Sequence, residues 1–119
     1  MSDPVTTIQP HEHALVITID KRSLDGPSTE QLVEDVLTAA AARTGVPVVL
    51  DMSRVRFAPS VALGQLVQLS KSFRLDGRRI ALIGIDRKIY DTIRVTQLHT
   101  VLELHDTLEQ ALASPGKRG

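Results

Sequence analysis

Two apolar runs, Val46 to Met52, broken only by Asp51, and Ile80 to Ile85, constrain this chain more than any other feature. A strand with one solvated face alternates apolar and polar residues; a strand without alternation has both faces covered. Both runs therefore belong in the middle of a sheet with other elements packed on it. Ala14 to Asp20, a β-branched run, is a third strand, and Val5 to Gln9 is a weaker edge strand. His11-Glu12-His13 lies between these last two as a hairpin connection.

The segments between the strands carry helical spacing. Ser28 to Arg43 places Leu32, Val33, Val36, Leu37 and Ala40 on one face. Ser28 is its expected N-cap, with Gln31 completing a capping box, and Gly45 is its stop. Ala62 to Asp76 buries Ala62, Leu66, Leu69 and Phe73, with Leu63 and Val67 beside them; Val61, Gln65, Gln68 and Ser72 mark the other face. Gly77 ends this second helix. Asp86 caps a third helix running to about Thr96. Val101 to Leu104 forms a short last strand, and Thr107 opens a final helix with Gln110 at the capping-box position. The order is ββαβαβαβα. Strands alternating with helices imply right-handed crossovers and a mainly parallel α/β sheet, here with an antiparallel edge hairpin. The 119 residues suit one domain, with residues 1–4 and 114–119 expected to be frayed tails.

Composition narrows function by exclusion. Lys plus Arg number 14 and Asp plus Glu number 14, so there is no basic surplus for a nucleic-acid footprint. Phe57, Phe73 and Tyr90 are the aromatic residues, too few for a base-stacking platform, and the core must be aliphatic. The absence of cysteine removes disulfides, thiolate metal sites and a Cys nucleophile. No apolar run approaches the ~18 residues of a membrane span, and the N-terminus carries no apolar signal region. The expectation is a cytoplasmic protein without membrane insertion.

Chemistry-bearing residues concentrate where parallel strands end, the usual site location in α/β domains. Three loops qualify: Leu24 to Pro27, Asp51 to Ser60, and Gly84 to Asp86. Ser60 stands at the start of helix two, after Pro59. Its hydroxyl can serve as an N-cap. It can also be a phosphorylation site, since a phosphate there would meet the positive end of the helix dipole and unpaired N–H groups. The two roles are compatible. Asp25 and Asp51 are expected to flank Ser60, bracing loop amides or helping to position a partner's nucleotide or metal. Catalysis has little support: Ser60 is not in a G-x-S-x-G elbow, and no histidine sits in an evident base motif. His11 and His13 share a face of an extended segment, but two ligands do not make a metal site. No P-loop or dinucleotide fingerprint is present, and no cofactor or metal is expected.

The stretch Leu50-Asp51-Met52-Ser53-Arg54-Val55-Arg56-Phe57-Ala58-Pro59-Ser60 resembles the STAS domain family, the anti-sigma-factor antagonists and related modules of anion transporters. Ser23-Leu24-Asp25 is similar to the family's G-x-L-D approach to helix one, Arg78 to Asp86 to its fourth strand, and Leu98 to Leu112 to its closing segment. The resemblance covers Val5 to Ala113 and implies the same ββαβαβαβα fold. It implies a non-enzymatic domain that binds an anti-sigma-factor-like serine kinase, with Ser60 matching the phosphoacceptor and a phosphatase completing the switch. Asp25 and Asp51 match acidic positions that support recognition. Helix two and the loop before it would form the contact surface, with Pro59, Val61, Gln65 and Gln68 facing the partner. Pro59, Val61 and Ala62 depart from the family's Asp, hydroxyl residue and Gly. Proline stiffens the loop and removes an N–H, so the departures bear on the switch more than on binding. Two alternatives remain at this level: a constitutive scaffold or transporter-associated subunit, and a small-ligand or nucleotide-binding domain using Asp25, Asp51 and the strand-end crevice.

Overall fold

A computed structural model describes residues 5–113; both expected tails lie outside the described residues. The elements are β1 (Thr6–Gln9), β2 (Leu15–Ile19), α1 (Gly26–Ala42), β3 (Val48–Asp51), α2 (Ser60–Leu75), β4 (Ile80–Ile83), α3 (Arg87–Val95), a 3-10 turn at Leu98–Thr100, β5 (Glu103–His105) and α4 (Leu108–Ala113). They build one five-stranded sheet in the order β1-β2-β3-β4-β5. Only β1 and β2 pair antiparallel; the other neighbours are parallel. This is the mixed α/β architecture that the alternation of strand and helix patterns predicts. No helix among the described residues is long and apolar enough to cross a membrane.

The period of two along each strand divides the apolar residues between two layers. Leu15, Ile17, Ile19, Val48, Leu50, Ile80 and Leu82 face α1, α2 and α3, and join their buried residues in one core. Val16, Val49, Ala81 and Ile83 point the other way, where α4 covers them through Ala111, Leu108 and Leu112. Coverage on both sides explains why β3 and β4 contain no polar alternation.

Several local expectations are corrected. Asp25, not Ser28, caps α1: the Ser28 N–H donates to Asp25 Oδ1 at 2.8 Å. Ser28 is the third helical residue and the donor in the cap, as an Asx cap requires. Gln31 donates to Asp35 at 2.8 Å instead of closing a capping box. Leu37 is 47% exposed although the spacing placed it inward. The buried line is Thr29, Leu32, Val36 and Ala40, and one step past Val36 turns Leu37 roughly 100° away. In α4, the Gln110 N–H donates to Thr107 Oγ1 at 3.2 Å, but Gln110 Oε1 accepts from Asp106 N–H, one residue earlier than a standard box.

The last strand begins two residues later than the apolar run Val101–Leu104 suggests, because pairing with β4 starts at Ala81↔Glu103. Glu103 is anchored there by ion pairing. Arg79 Nε donates to both Glu103 oxygens at 2.9 Å, Arg79 Nη2 also donates to the Ala111 carbonyl, and His105 Nε2 lies 2.7 Å from Glu103 Oε2. The cluster ties β4, β5 and α4 together. Burial raises the Glu103 pKa, but the hydrogen bonds and charges of Arg79 and His105 outweigh it and hold the carboxyl below its ordinary 4.5. A carboxyl depressed in the folded state stabilises above its unfolded pKa and loses that contribution as pH falls through the folded value. Thermal melts should therefore show stability falling below pH ~4.5. Glu103→Gln should be less stable at neutral pH and lose less on acidification; parallel pH profiles for the two proteins would refute this role.

Candidate functional site

The site is built from the loop joining β3 to α2. Asp51 ends β3, and its Oδ1 accepts from Ser53 N–H at 2.9 Å, folding the chain back. Met52 N–H donates to the Ile83 carbonyl at 2.9 Å. Met52, Val55 and Ala58 are buried pegs that hold the loop to the core. Arg56 and Phe57 N–H groups then donate to the Arg22 carbonyl at 2.7 and 2.9 Å, and Leu24 N–H donates to the Phe57 carbonyl at 3.0 Å. This makes a parallel bridge, Ser23↔Phe57. The residues preceding α1 and those preceding α2 are thereby laced together. Arg54 pairs with Asp20 at 3.2 Å and Arg56 with Asp86 at 3.7 Å, so the loop is braced from the ends of β2 and β4 as well.

Ser60 is the first residue of α2 and is exposed. The expectation that it caps the helix is corrected: Pro59 occupies the cap position at φ −68°, ψ 165°, and no side-chain cap hydrogen bond forms. Proline's locked φ already has the extended geometry a cap needs, and its carbonyl accepts from Leu63 N–H at 3.1 Å. The Ser60 hydroxyl is therefore free of capping duty while standing at a helix N-terminus whose first N–H groups lack intrahelical partners.

Val61, Gln65 and Gln68 follow at helical spacing, all exposed, forming one outward face of α2. Val61 is 73% exposed and Phe57 60% exposed. An isolated exposed apolar residue is ordinary, but these two flank the same serine in the sequence. Sequence reasoning missed Phe57 as a surface residue. The available signal was an aromatic residue in a polar loop of a chain nearly devoid of aromatics.

Asp25 and Asp51 do not sit alike. The Leu24–Phe57 hydrogen bond keeps Asp25 beside the β3–α2 loop, with its carboxylate exposed and engaged as the α1 cap. The Ser28 backbone N–H, and then the Ser28 hydroxyl, lower its pKa. Asp51 is in register with Thr18 and Ile83, on the sheet face opposite α1 and α2, where its carboxylate braces Ser53. Asp51 thus lies away from the α1 and α2 face, while Asp25 stands next to Leu24, whose N–H ties the α1 approach to Phe57.

A five-stranded mixed sheet with three helices on one face and a fourth on the other is the architecture of STAS-type domains. The STAS domain family model matches residues 5–111, and the chain belongs to that family. It is 29% identical over 110 residues to the anti-sigma-F factor antagonist RsfA of Mycobacterium tuberculosis, covering 91% of this chain and 84% of that protein. The fold is similar to an anti-sigma-factor antagonist (STAS) domain protein from Planctomyces limnophilus, with a TM-score of 0.75 at 22% identity over 90% of this chain and 93% of that one. It also matches the anti-sigma factor antagonist SpoIIAA in its unphosphorylated form, with a TM-score of 0.70 at 17% identity over 90% and 92% of the two chains.

Proposed function

We propose that this domain is a non-catalytic regulator of the anti-sigma-factor-antagonist type, docking an anti-sigma-factor-like serine kinase through the start of α2. The observation that carries the proposal is the exposed Ser60 at the α2 N-terminus, flanked by exposed Phe57 and Val61. The likeness to RsfA, named an anti-sigma-F factor antagonist, supports the kind of partner. Phe57 and Val61 supply apolar contact, Pro59 holds the loop stiff, and Gln65 and Gln68 supply hydrogen-bonding groups along the helix. Asp25 contributes an acidic rim, and Asp51 acts indirectly by bracing the loop.

Ser60 is the switch. Phosphorylation adds nearly two negative charges. Within the free domain, the α2 N-terminus favours that charge. Within the docked complex the same charge must be desolvated beside Phe57 and Val61, which opposes binding. The partner kinase adds the phosphate and a phosphatase removes it.

Titration of the cognate kinase against wild type, Ser60→Ala and Ser60→Asp tests the proposal. Ser60→Ala should bind within about threefold of wild type, because the hydroxyl caps nothing. Ser60→Asp should bind at least ~10-fold more weakly, an unpaired charge at an interface costing more than 1.4 kcal/mol. Equal binding by all three would remove the switch and leave a constitutive scaffold.

A further inference from the structure

The helices that follow β2, β3 and β4 all pack on one face of the sheet, whereas α4, which follows β5, packs on the other. Adjacent parallel strands whose following helices diverge to opposite faces leave a crevice beyond their carboxyl ends, and open α/β sheets bind ligands in such crevices. Here the divergence falls between β4 and β5. A cavity of about 550 Å³ lies there, between α3 and α4. That volume suits a small organic molecule.

Its chemistry is two-sided. Ile85, Leu102 and Leu104 give it an apolar floor. Arg87, Tyr90 and Arg94 come from one face of α3, at spacings of three and four residues. Arg87 pairs with Asp91 at 3.5 Å in an exposed, weak contact, whereas Arg94 has no ion-pair partner among the described residues. His99 also lines the cavity, and its buried Nδ1 has no hydrogen-bond partner. Against these stands one lining carboxylate, Asp106. His105 is engaged by Glu103 and serves as wall.

We infer that this crevice binds a small organic anion, a carboxylate or phosphate monoester carried on a flat apolar body. Arg94 takes the anionic group, with the fork geometry that suits planar oxyanions. Tyr90 and the aliphatic floor hold the apolar body. The site is remote in sequence from Ser60 and does not depend on the partner-docking proposal.

The test is a titration of the full chain, followed by amide chemical shifts, with 1-naphthoate, 1-naphthyl phosphate, neutral 1-naphthamide and inorganic phosphate. Saturable shifts from at least one naphthyl anion are expected at amides of residues 85–90 and 98–106, and the tighter anion identifies the headgroup. The neutral amide should bind about 10-fold more weakly, as loss of a charge-assisted hydrogen bond requires. Arg94→Gln should weaken the anion about 10-fold with the remaining spectrum unchanged, while Lys71→Gln on α2 should not. Absence of saturation, shifts centred elsewhere, or equal binding of the amide would overturn the inference. Inorganic phosphate binding as tightly as naphthyl phosphate would also overturn it, since the apolar floor would then contribute nothing.

Discussion

Leu66→Ala should lower the unfolding free energy by about 3 kcal/mol, within the 2–5 kcal/mol typical of a buried Leu truncated to Ala. Leu66 is 1% exposed and belongs to the core between the helices and the sheet. Truncation loses the transfer energy of three methyl or methylene-sized groups and leaves a cavity that α2, held at its start by the laced loop, cannot collapse into. A domain of this size has only ~5–15 kcal/mol of stability, so the loss is a large fraction. Leu75 is the control. It belongs to the same helix but is 89% exposed, so Leu75→Ala should change stability by less than ~0.5 kcal/mol. Urea denaturation of the pair measures the contrast; similar midpoints would mean that the inward face of α2 is misassigned.

The second large effect belongs to Gly84. Its φ is +67°, and a Cβ built there would lie 3.1 Å from Ser53 Cβ and 3.3 Å from Ser53 Cα and N. Gly84→Ala thus carries two costs. A left-handed conformation costs a non-glycine residue ~1–2 kcal/mol, and the clash with Ser53 adds a displacement of backbone. Ser53 cannot yield freely, because its N–H is bound by Asp51 and its carbonyl accepts from Arg56 Nη1 at 3.0 Å. A combined loss of about 2–3 kcal/mol is expected. Gly45 separates the two costs. Its φ is +84° with nothing within 4 Å of the built Cβ, so Gly45→Ala should show the conformational cost alone. The displaced Ser53 lies in the loop leading to Phe57 and Ser60, so Gly84→Ala should also weaken partner binding, whereas Gly45→Ala should not. Equal stability losses in the two variants would show that the Ser53 contact is unimportant.

Much of the architecture is legible in the residue pattern. The apolar runs at Val46–Met52, broken only by Asp51, and Ile80–Ile85 demand coverage on both faces. The helical spacing between them supplies it, and short connections leave parallel pairing as the economical arrangement. Element ends are less legible, because caps compete locally. Both Asp25 and Ser28 are good N-caps by type; the winner is the one whose backbone can leave the helix where the loop is tied to Phe57. Ser60 and Pro59 present the same ambiguity, resolved by proline's fixed φ. The order of the parallel strands, and the side of the sheet each helix takes, are not written in any local window.

Residue order alone determined the alternation of strands and helices, the aliphatic core, the exposed line Val61–Gln65–Gln68 and the place of Ser60 at a helix start, because these follow from periodicity and backbone propensity within short segments. Tertiary structure decided what surrounds that serine. It brought Asp25 to the loop through the Leu24–Phe57 hydrogen bond, turned Asp51 to the opposite face through strand register, left Phe57 in solvent, and opened the crevice beside β5. Each of these depends on contacts between residues far apart in the chain, and side chains that meet only after folding leave no spacing in the sequence by which to find them.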